Sequence, residues 1–516
     1  MSEKKRSLVL MTVDCLRADH CGFYGYAWPT TPFLDSLASE SIVVPTAVVA
    51  GAPTYYSLPP MFASRMPLAL GRDVVGLAPD EDTLATTLRQ TGYATAAFTA
   101  ANPYISRRFG YDQGFDVFRD FLDFDESATA VADSMKSPAN ASLSGKINRW
   151  LKRSAQVAGL SRLYDELYFQ YCVRLAAPPV QSIDSLRKYP SADAVIGSSE
   201  SWLASLGSRP FFLWIHLMDA HFPYYPPAVA LQEFSGRQPL PRQVRYLNEY
   251  WNRSDLDARR LQRYKHAVTD LYHSGIRWVD MGIARLVSFL RRLNRWDECV
   301  FALTADHGEE LLEHGRRYHA PIGLTEEIVH VPLLVRVPGQ RSVERRAPHR
   351  TEAASPPPTK LVFSHLHLAP TLLEILDVPP PPSFQGTSLW TRLQPDAVVK
   401  AAVINEHGDL AIAECVFGCT NPLHTETLLS PRLLSVRDCR YKLVIRLEPG
   451  AVEELYDLRS DTREQTPLTG DGDGTAAIRC RLLRAAAEHM QRTSTAKLAN
   501  ARLRTLMRDL RLRLQE

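Results

Sequence analysis

The segment TADHGEELLEHGRRYHAP, residues 304–321, combines residue types that can bind a metal ion. It continues a strand-like apolar run, and Asp306 and His307 are adjacent where that strand is expected to end. A carboxylate and an imidazole at one strand end can both face a divalent cation, while Gly308 lets the chain turn sharply behind them. His319, thirteen positions after Asp306, adds a second imidazole. An isolated Asp-His-Gly is weak evidence, because an aspartate that caps a helix beside a histidine gives the same letters.

Two further strand ends carry residues of the same kind. Asp14 ends the first apolar run, SLVLMTVD, and His216, Asp219 and His221 lie in PFFLWIHLMDAH. In open α/β sheets, ligands bind beyond the carboxyl ends of the strands, so these side chains are expected to converge on one rim with those of the first segment. Oxygen ligands combined with histidine suit a divalent metal that polarises a tetrahedral oxyanion. The sequence therefore predicts a metal-dependent centre at this rim.

The elements that must position these residues alternate between strand-like and helix-like patterns up to about residue 340. Such alternation predicts an α/β fold with a mostly parallel sheet that is covered by helices on both faces. After about residue 400, LLSVRDCRYKLVIRL and EELYDL predict short antiparallel strands. We therefore expect a catalytic α/β domain at 1–395 with a helical insertion at about 125–205, a small antiparallel subdomain at 396–475, and a basic helix at 476–516.

Composition limits the class of protein. The 516 residues carry a net charge of +3, which is too close to neutral to indicate a nucleic-acid partner. The apolar run from Leu8 to Val13 is too short for an export signal, and no stretch approaches the roughly 20 apolar residues of a membrane span. We therefore expect a cytoplasmic protein without a membrane span, whose eight cysteines are free thiols because none has a CxxC spacing. The composition leaves the oligomeric state open.

Taken in order along the chain, these segments resemble the sulfatase branch of the alkaline phosphatase superfamily. VDCLRADHCGFYGYAWPTTPFLDSLASES resembles its amino-terminal signature, PFFLWIHLMDAHFPYYPP its central histidine segment, and ALTADHGEELLEHG with VPLLVRVPG its second metal segment. HLAPTLLEIL, FQGTSL and CRYKLVIRL resemble its carboxyl-terminal features. The resemblance implies an alkaline-phosphatase-like α/β/α sandwich with a small carboxyl-terminal antiparallel subdomain, and a metal-dependent ester hydrolase or transferase.

The resemblance also implies roles for individual residues. Asp14, Asp306 and His307 match the metal ligands. His221 and His319 match positions that hold the transferred group or assist the leaving group.

Three further residues are expected on the substrate side of the site. His216 precedes the central histidine, and Ser57 is the alternative nucleophile because it is a second hydroxyl in the same segment. Arg17 is expected to pair with Asp19 and to support the first loop, with direct substrate contact as the alternative.

Two departures from the family's pattern affect the chemistry. The second of the two adjacent aspartates that are typical of the first metal segment is Cys15 here. The family's nucleophile motif, Cys or Ser, any residue, Pro, Ser, Arg, falls within GAPTYYSLPPMFASRMP, residues 51–67. The alignment puts Thr54 at the nucleophile, Tyr56 at the proline, Ser57 at the serine and Leu58 at the arginine.

Threonine at the nucleophile position changes the expected reaction. A formylglycine hydrate releases sulfate by restoring its aldehyde, whereas Thr54 has no second hydroxyl on the same carbon. A phosphorylated threonine can instead be cleared by in-line attack at phosphorus. Threonine here resembles the phosphodiesterases and the phosphoglycerol or phosphoethanolamine transferases of the superfamily, so we expect a phosphate mono- or diester of a small molecule, glycan or lipid headgroup. The alternatives are a sulfuric ester hydrolase and a non-catalytic binding protein.

The resemblance further implies one divalent metal, held by Asp14, Thr54, Asp306 and His307. The histidine ligand favours zinc or manganese, with calcium and magnesium as alternatives. A second metal would need an additional aspartate, for which Asp219 is the candidate.

Overall fold

The computed structural model describes residues 5–72, 74–122, 150–151, 153–155, 157, 160–174, 182–236, 238–340, 361–394, 409–424, 428–447, 452–469 and 473–494. Its strands are β1 Ser7–Val13, β2 Ile42–Val43, β3 Ala47–Val48, β4 Ala94–Thr99, β5 Val117–Arg119, β6 Phe211–Leu217, β7 Cys299–Ala305, β8 Glu310–Leu311, β9 Arg317–Tyr318, β10 His330–Val331, β11 Leu333–Arg336, β12 Phe363–Ser364, β13 Ala411–Val416, β14 Arg432–Arg437, β15 Tyr441–Leu447 and β16 Val452–Asp457. Its α-helices are α1 Pro32–Ala38, α2 Thr54–Ala63, α3 Leu84–Gln90, α4 Ser161–Arg174, α5 Ala192–Ser205, α6 Ala228–Ser235, α7 Pro241–Trp251, α8 Ala258–Gln262, α9 Lys265–Arg292, α10 Glu326–Val329, α11 Leu368–Ile375, α12 Trp390–Leu393 and α13 Asp473–Ser494.

A seven-stranded sheet lies at the centre of the fold, in the order β2-β11-β7-β1-β6-β4-β5. The strands from β7 to β5 run parallel, whereas β11 is antiparallel to both β7 and β2. The expected mostly parallel sheet is therefore confirmed. Because β1 lies between β6 and β7, the carboxyl ends of these strands are neighbours at one rim of the sheet.

Successive residues of β1 face two different hydrophobic layers. Val9, Met11 and Val13 belong to one buried cluster with residues of α5 and α9. Leu8 and Leu10 belong to a second cluster, with residues of α2, α3 and α11. A strand that is buried on both faces is expected for a parallel sheet between two helical layers. The α/β/α sandwich is confirmed.

A separate antiparallel sheet, β13-β14-β15-β16, follows the large domain. Helix α13 covers it, and Leu482 and Met490 of this helix share a buried cluster with Leu434 and Leu443 of the strands. The expected small carboxyl-terminal antiparallel subdomain is therefore present. Residues 495–516, which belong to the predicted basic helix, lie outside the described residues.

The predicted insertion at 125–205 is described in part, because 125–149 and 175–181 lie outside the described residues. Helix α4 of this insertion packs on α7, where the ring of Phe169 lies 4.2 Å from that of Tyr250. Within the ranges given above, no helix is both long enough and apolar enough to cross a bilayer. All eight cysteines are free thiols.

Candidate active site

The ends of β1 and β7 bring two carboxylates together. The parallel register pairs Val13 with Ala305, so the next residues on these strands, Asp14 and Asp306, lie side by side. His307 Nε2 lies 3.7 Å from Asp14 Oδ1 and 3.4 Å from Asp306 Oδ2, and the three side chains are fully buried. The structure thus brings Asp14 together with Asp306 and His307, which are three of the four residues that were predicted as metal ligands.

Each ionisable group in this cluster shifts the pKa of its neighbours. Burial raises the pKa of Asp14, but the surrounding imidazoles, chiefly that of His221, hold it well below its usual range. Burial and the neighbouring Asp14 raise the pKa of Asp306. The pKa of His307 is raised because the two carboxylates outweigh the effect of burial. Two buried carboxylates that share one imidazole fit a divalent cation, since a cation would offset their repulsion.

Thr54 enters this cluster as the first residue of α2. Its side chain is 4% exposed, and its Oγ1 lies 3.2 Å from His307 Nε2. The chain reaches this point past Gly51, where a Cβ would lie 2.6 Å from the carbonyl oxygen of Glu414 in β13. Only glycine allows that close approach, so the carboxyl-terminal sheet supports the segment that carries Thr54.

Ser57 and Leu58 of the aligned motif have their contacts outside the predicted metal ligands. The hydroxyl of Ser57 is buried and donates to the carbonyl oxygen of Thr54 at 3.2 Å, within the same helix. Leu58, at the position of the family's arginine, is fully buried in the hydrophobic layer of α2, α3 and α11. The hydroxyl of this segment that reaches the predicted ligands is therefore that of Thr54.

Two further histidines, His221 and His319, adjoin this cluster. The ring of His319 lies 4.5 Å from that of His307 and 5.0 Å from that of His221. Burial and the neighbouring His307 lower the pKa of His319. The Nδ1 atom of His221 is buried and has no hydrogen-bond partner. The ring of His319 therefore contacts both the predicted ligand His307 and His221.

Cys15 lies inside the cluster as well. It has a positive φ of 62°, uncommon for a residue other than glycine, and its side chain is fully buried. Its Sγ lies 3.3 Å from Asp14 Oδ1 and 3.4 Å from His319 Nδ1. Burial and nearby carboxylates, chiefly that of Glu309, raise the pKa of this thiol well above its usual range.

His216, predicted on the substrate side, is fully buried behind Asp14. Its Nδ1 contacts the hydroxyl of Thr12 at 2.9 Å, and its Nε2 lies 3.4 Å from Asp14 Oδ2. Ligand atoms of His216, Asp14 and Asp306 lie within 4.8 Å of one another. His216 thus contacts Asp14 from within the protein, next to the predicted ligand Asp306.

Arg17 is engaged within the protein. Its guanidinium donates to Asp19 at 2.7 and 2.8 Å, to Glu313 at 3.0 Å and to the carbonyl oxygen of Glu309 at 2.9 Å, and the residue is 3% exposed. The predicted Arg17–Asp19 ion pair is confirmed. These contacts connect the loop after β1 to the loop after β7, which gives Arg17 a supporting position.

Two residues near the site carried no sequence-based prediction. Asn102 follows β4, and its amide nitrogen donates to Asp14 Oδ2 at 2.9 Å. Glu309 is fully buried, with Oε1 3.3 Å from His319 Nδ1 and Oε2 accepting a hydrogen bond from the Tyr224 hydroxyl. A polar residue just after a strand is the signal that could have identified Asn102.

Asp219, the candidate for an additional metal ligand, makes its contacts with α5 and Arg187. Its Oδ2 accepts a hydrogen bond from the backbone nitrogen of Ala192 at 2.9 Å, and its Oδ1 lies 3.6 Å from Arg187. Burial raises its pKa to about 6. Asp219 thus holds the start of α5, and it belongs to none of the described groups of metal-ligand atoms.

Residues 6–378 match the sequence profile of a family described as Sulfatase. An arylsulfatase of Clostridium perfringens is 22% identical over 412 residues, which cover 75% of this chain and 78% of that protein. Arylsulfatase K of Mus musculus is 26% identical over 198 residues, which cover 38% of this chain and 32% of that protein. The match thus spans about a third of the length of arylsulfatase K.

A similar fold occurs in the phosphonate monoester hydrolase of Agrobacterium radiobacter. Its structure superposes with a TM-score of 0.62 and 19% identity, and the match covers 95% of this chain and 96% of that one. At this level of identity the likeness supports the fold alone.

Proposed function

This chain belongs to the sulfatase family, and from that premise we propose that it is a metal-dependent hydrolase or transferase of phosphate esters with Thr54 as its nucleophile. The observation that carries the proposal is the 3.2 Å contact between Thr54 Oγ1 and His307 Nε2, beside Asp14 and Asp306. A hydroxyl at that point is where a metal-activated nucleophile is needed.

A threonine favours phosphorus over sulfur as the centre attacked. Thr54 cannot become a formylglycine, and Leu58 lies in the core where the family's motif has an arginine. The two residues that are replaced, the nucleophile and the arginine, belong to the formylglycine motif. The hydroxyl of Thr54 and the predicted ligands Asp14, Asp306 and His307 are retained. A phosphothreonine can be opened by attack at phosphorus, so the hydroxyl suffices for a two-step phosphoryl transfer.

In the proposed first step, the Thr54 hydroxyl loses its proton to solvent and its oxygen attacks phosphorus. The bond from phosphorus to Thr54 Oγ1 forms while the bond to the leaving oxygen breaks, and His319 or His221 gives that oxygen a proton. Water or an acceptor hydroxyl then attacks phosphorus and returns a proton to the histidine. The bond from phosphorus to Thr54 Oγ1 breaks, and that oxygen regains a proton from solvent. The acceptor decides between hydrolysis and transfer.

Asp14, Asp306 and His307 would hold the divalent cation. Bound there, it would supply positive charge that lowers the pKa of the Thr54 hydroxyl and offsets the charge of the transferred group. Asn102 and His216 contact the same Asp14 carboxylate, and they hold its orientation whichever cation is bound.

The substrate must present its ester to a mostly buried site. Thr54 is almost fully buried, whereas the His319 side chain is 20% exposed, so His319 lies on the open side. We infer a small molecule, a glycan or a lipid headgroup whose ester reaches past His319.

A set of substrates with one leaving group tests the proposal. The purified chain, stripped and reloaded with Zn²⁺ or Mn²⁺, is assayed with 4-nitrophenyl phosphate, bis(4-nitrophenyl) phosphate, 4-nitrophenyl phenylphosphonate and 4-nitrophenyl sulfate. We expect kcat/KM to be highest for a phosphate ester, and a quenched reaction to carry phosphate on the Thr54 peptide in mass spectrometry. Turnover of the sulfate alone would contradict the proposal, and no turnover together with no bound metal would favour a binding protein.

A sulfuric ester hydrolase is the second candidate. It is favoured by the names of the two relatives, both called arylsulfatases. In that case the sulfated threonine would have to be opened by direct attack at sulfur. The same substrates distinguish the candidates, because leaving group and metal are held constant.

A further inference from the structure

The Cys15 thiol lies among the residues that would hold the cation. Besides its contact with Asp14, Cys15 Sγ lies 3.8 Å from His307 Nδ1. Cys15 is shared by two groups whose ligand atoms lie within 4.8 Å of one another, one with Asp14 and His221, the other with His307 and His319. The sulfur therefore faces carboxylate and imidazole donors on more than one side.

We propose that Cys15 is a thiolate ligand of the cation held by Asp14, Asp306 and His307, and that it makes this a zinc site. The inference rests on the proposed function only for the identity of the other three ligands. It is independent of whether the ester is a phosphate or a sulfate.

Three distances between these donors match those of a zinc site. Zinc bonds to sulfur at about 2.3 Å and to nitrogen or oxygen at about 2.0–2.2 Å, so tetrahedral ligand atoms lie about 3.3–3.8 Å apart. Asp14 Oδ1 lies 3.3 Å from Cys15 Sγ and 3.7 Å from His307 Nε2, and His307 Nε2 lies 3.4 Å from Asp306 Oδ2. These three separations lie in that range, and Cys15 Sγ itself lies 3.8 Å from Nδ1 of the His307 ring.

A second observation also points to a cation. Asp306 Oδ2 is fully buried and has no hydrogen-bond partner. A buried carboxylate oxygen is costly unless something pairs with it, and a cation between Asp14, Cys15 and His307 would do so.

The thiolate would decide which metal binds. Binding breaks the S–H bond of Cys15, releases the proton to solvent and forms the sulfur–zinc bond. Soft thiolates favour zinc, whereas calcium, magnesium and manganese favour oxygen donors. Thr54 would remain beside such a cation, because its Oγ1 lies 3.2 Å from His307 Nε2.

Cobalt substitution tests the ligand directly, without a substrate. The full chain is stripped with a chelator and loaded with Co²⁺, and its absorption spectrum is recorded. We expect a thiolate-to-cobalt charge-transfer band in the near ultraviolet for the native chain and for Thr54→Ala, and its loss in Cys15→Ser. Cys21→Ser is the matched control, because Cys21 is buried six positions further on and its thiol contacts the carbonyl oxygen of Arg17 instead.

Metal competition gives a second measurement. Even a partner outside the ligand shell contributes about 10–100-fold to metal affinity, so Cys15→Asp should lower the preference for Zn²⁺ over Mn²⁺ by at least about tenfold.

A native chain that binds Co²⁺ without the charge-transfer band would overturn the proposal, and so would an unchanged metal preference in Cys15→Asp. Circular dichroism shows whether Cys15→Ser folds. If it does not fold, the absorption spectrum of the native chain with Co²⁺ still tests for the thiolate ligand. A chain that shows the band but cleaves no ester would refute the proposed function and leave the thiolate ligand standing.

Discussion

The hydroxyl of Thr54 lies 3.2 Å from Nε2 of His307, although 253 positions separate the two residues along the chain. Thr54 begins helix α2, and His307 comes two residues after the last residue of β7. Two side chains that are held this close to regular elements keep their separation without relying on a long loop.

Replacing Thr54 by valine should therefore abolish turnover. Valine has nearly the same shape but no hydroxyl, so we expect kcat to fall by about 10³–10⁶-fold, with the metal content unchanged. Ser57→Ala is the matched control, since it removes the other hydroxyl of this segment, and it should keep most of the activity. Steady-state kinetics and metal analysis of the two variants check this, and a reversed pattern would make Ser57 the nucleophile.

Replacing His319 should affect poor leaving groups most. A histidine that protonates the leaving oxygen contributes about 10²–10⁴-fold. His319→Asn should therefore lower kcat/KM strongly for phenyl phosphate and much less for 4-nitrophenyl phosphate, whose leaving oxygen needs little protonation. His314→Gln is the control: this histidine contacts Glu327 at 3.0 Å instead of the site. An equal loss with both substrates would show that His319 binds the transferred group instead.

Replacing Arg17 should cost stability. Its buried guanidinium is the partner of Glu313, whose side chain is 9% exposed, and breaking a buried ion pair costs about 3–5 kcal/mol. Arg17→Met should lower the free energy of unfolding by this amount in urea titrations. Asp19→Asn should cost less than about 1 kcal/mol, because the Asp19 side chain is 61% exposed. If Arg17→Met folded normally and raised KM alone, Arg17 would be a substrate contact.

The sequence was sufficient to predict the site residues that follow strands of the central sheet. Asp14 and Asp306 could be located because each follows an apolar run that reads as a buried strand, and parallel strands end at one rim. His307 followed from its adjacency to Asp306. Nothing in the spacing alone could place Thr54, which needed the resemblance, because it depends on how α2 meets the sheet.

Two features near the site depend on packing between distant parts of the chain, and the sequence alone did not indicate them. Helix α2 contains Pro59 and Pro60, which favour a break in a helix, yet all ten of its residues are buried and the helix continues through them. Glu309 adjoins the predicted ligands, but its place beside His319 depends on Tyr224, 85 positions earlier. Tertiary burial overrides local preference at both places.

The stability of the whole chain should depend on pH through Glu414. This buried carboxylate accepts from the backbone nitrogen of Leu68 at 3.0 Å and lies 2.9 Å from His489 and 3.4 Å from Arg432, so it ties the carboxyl-terminal sheet to the segment after Thr54. Although burial raises its pKa, Arg432 and His489 hold it at about 2, against 4.5 for an ordinary glutamic acid.

Because the folded pKa is the lower one, the contribution of Glu414 is complete above about pH 4.5 and is lost as the pH falls towards 2. The shift corresponds to about 3 kcal/mol at neutral pH. Urea unfolding of native and Glu414→Gln chains between pH 7 and pH 2.5 should show a difference in stability that is largest at neutral pH and narrows below pH 4.5. Glu40→Gln, at a side chain that is 56% exposed, should show no such narrowing. A difference that stays constant with pH would mean that Glu414 acts through packing and not through its charge.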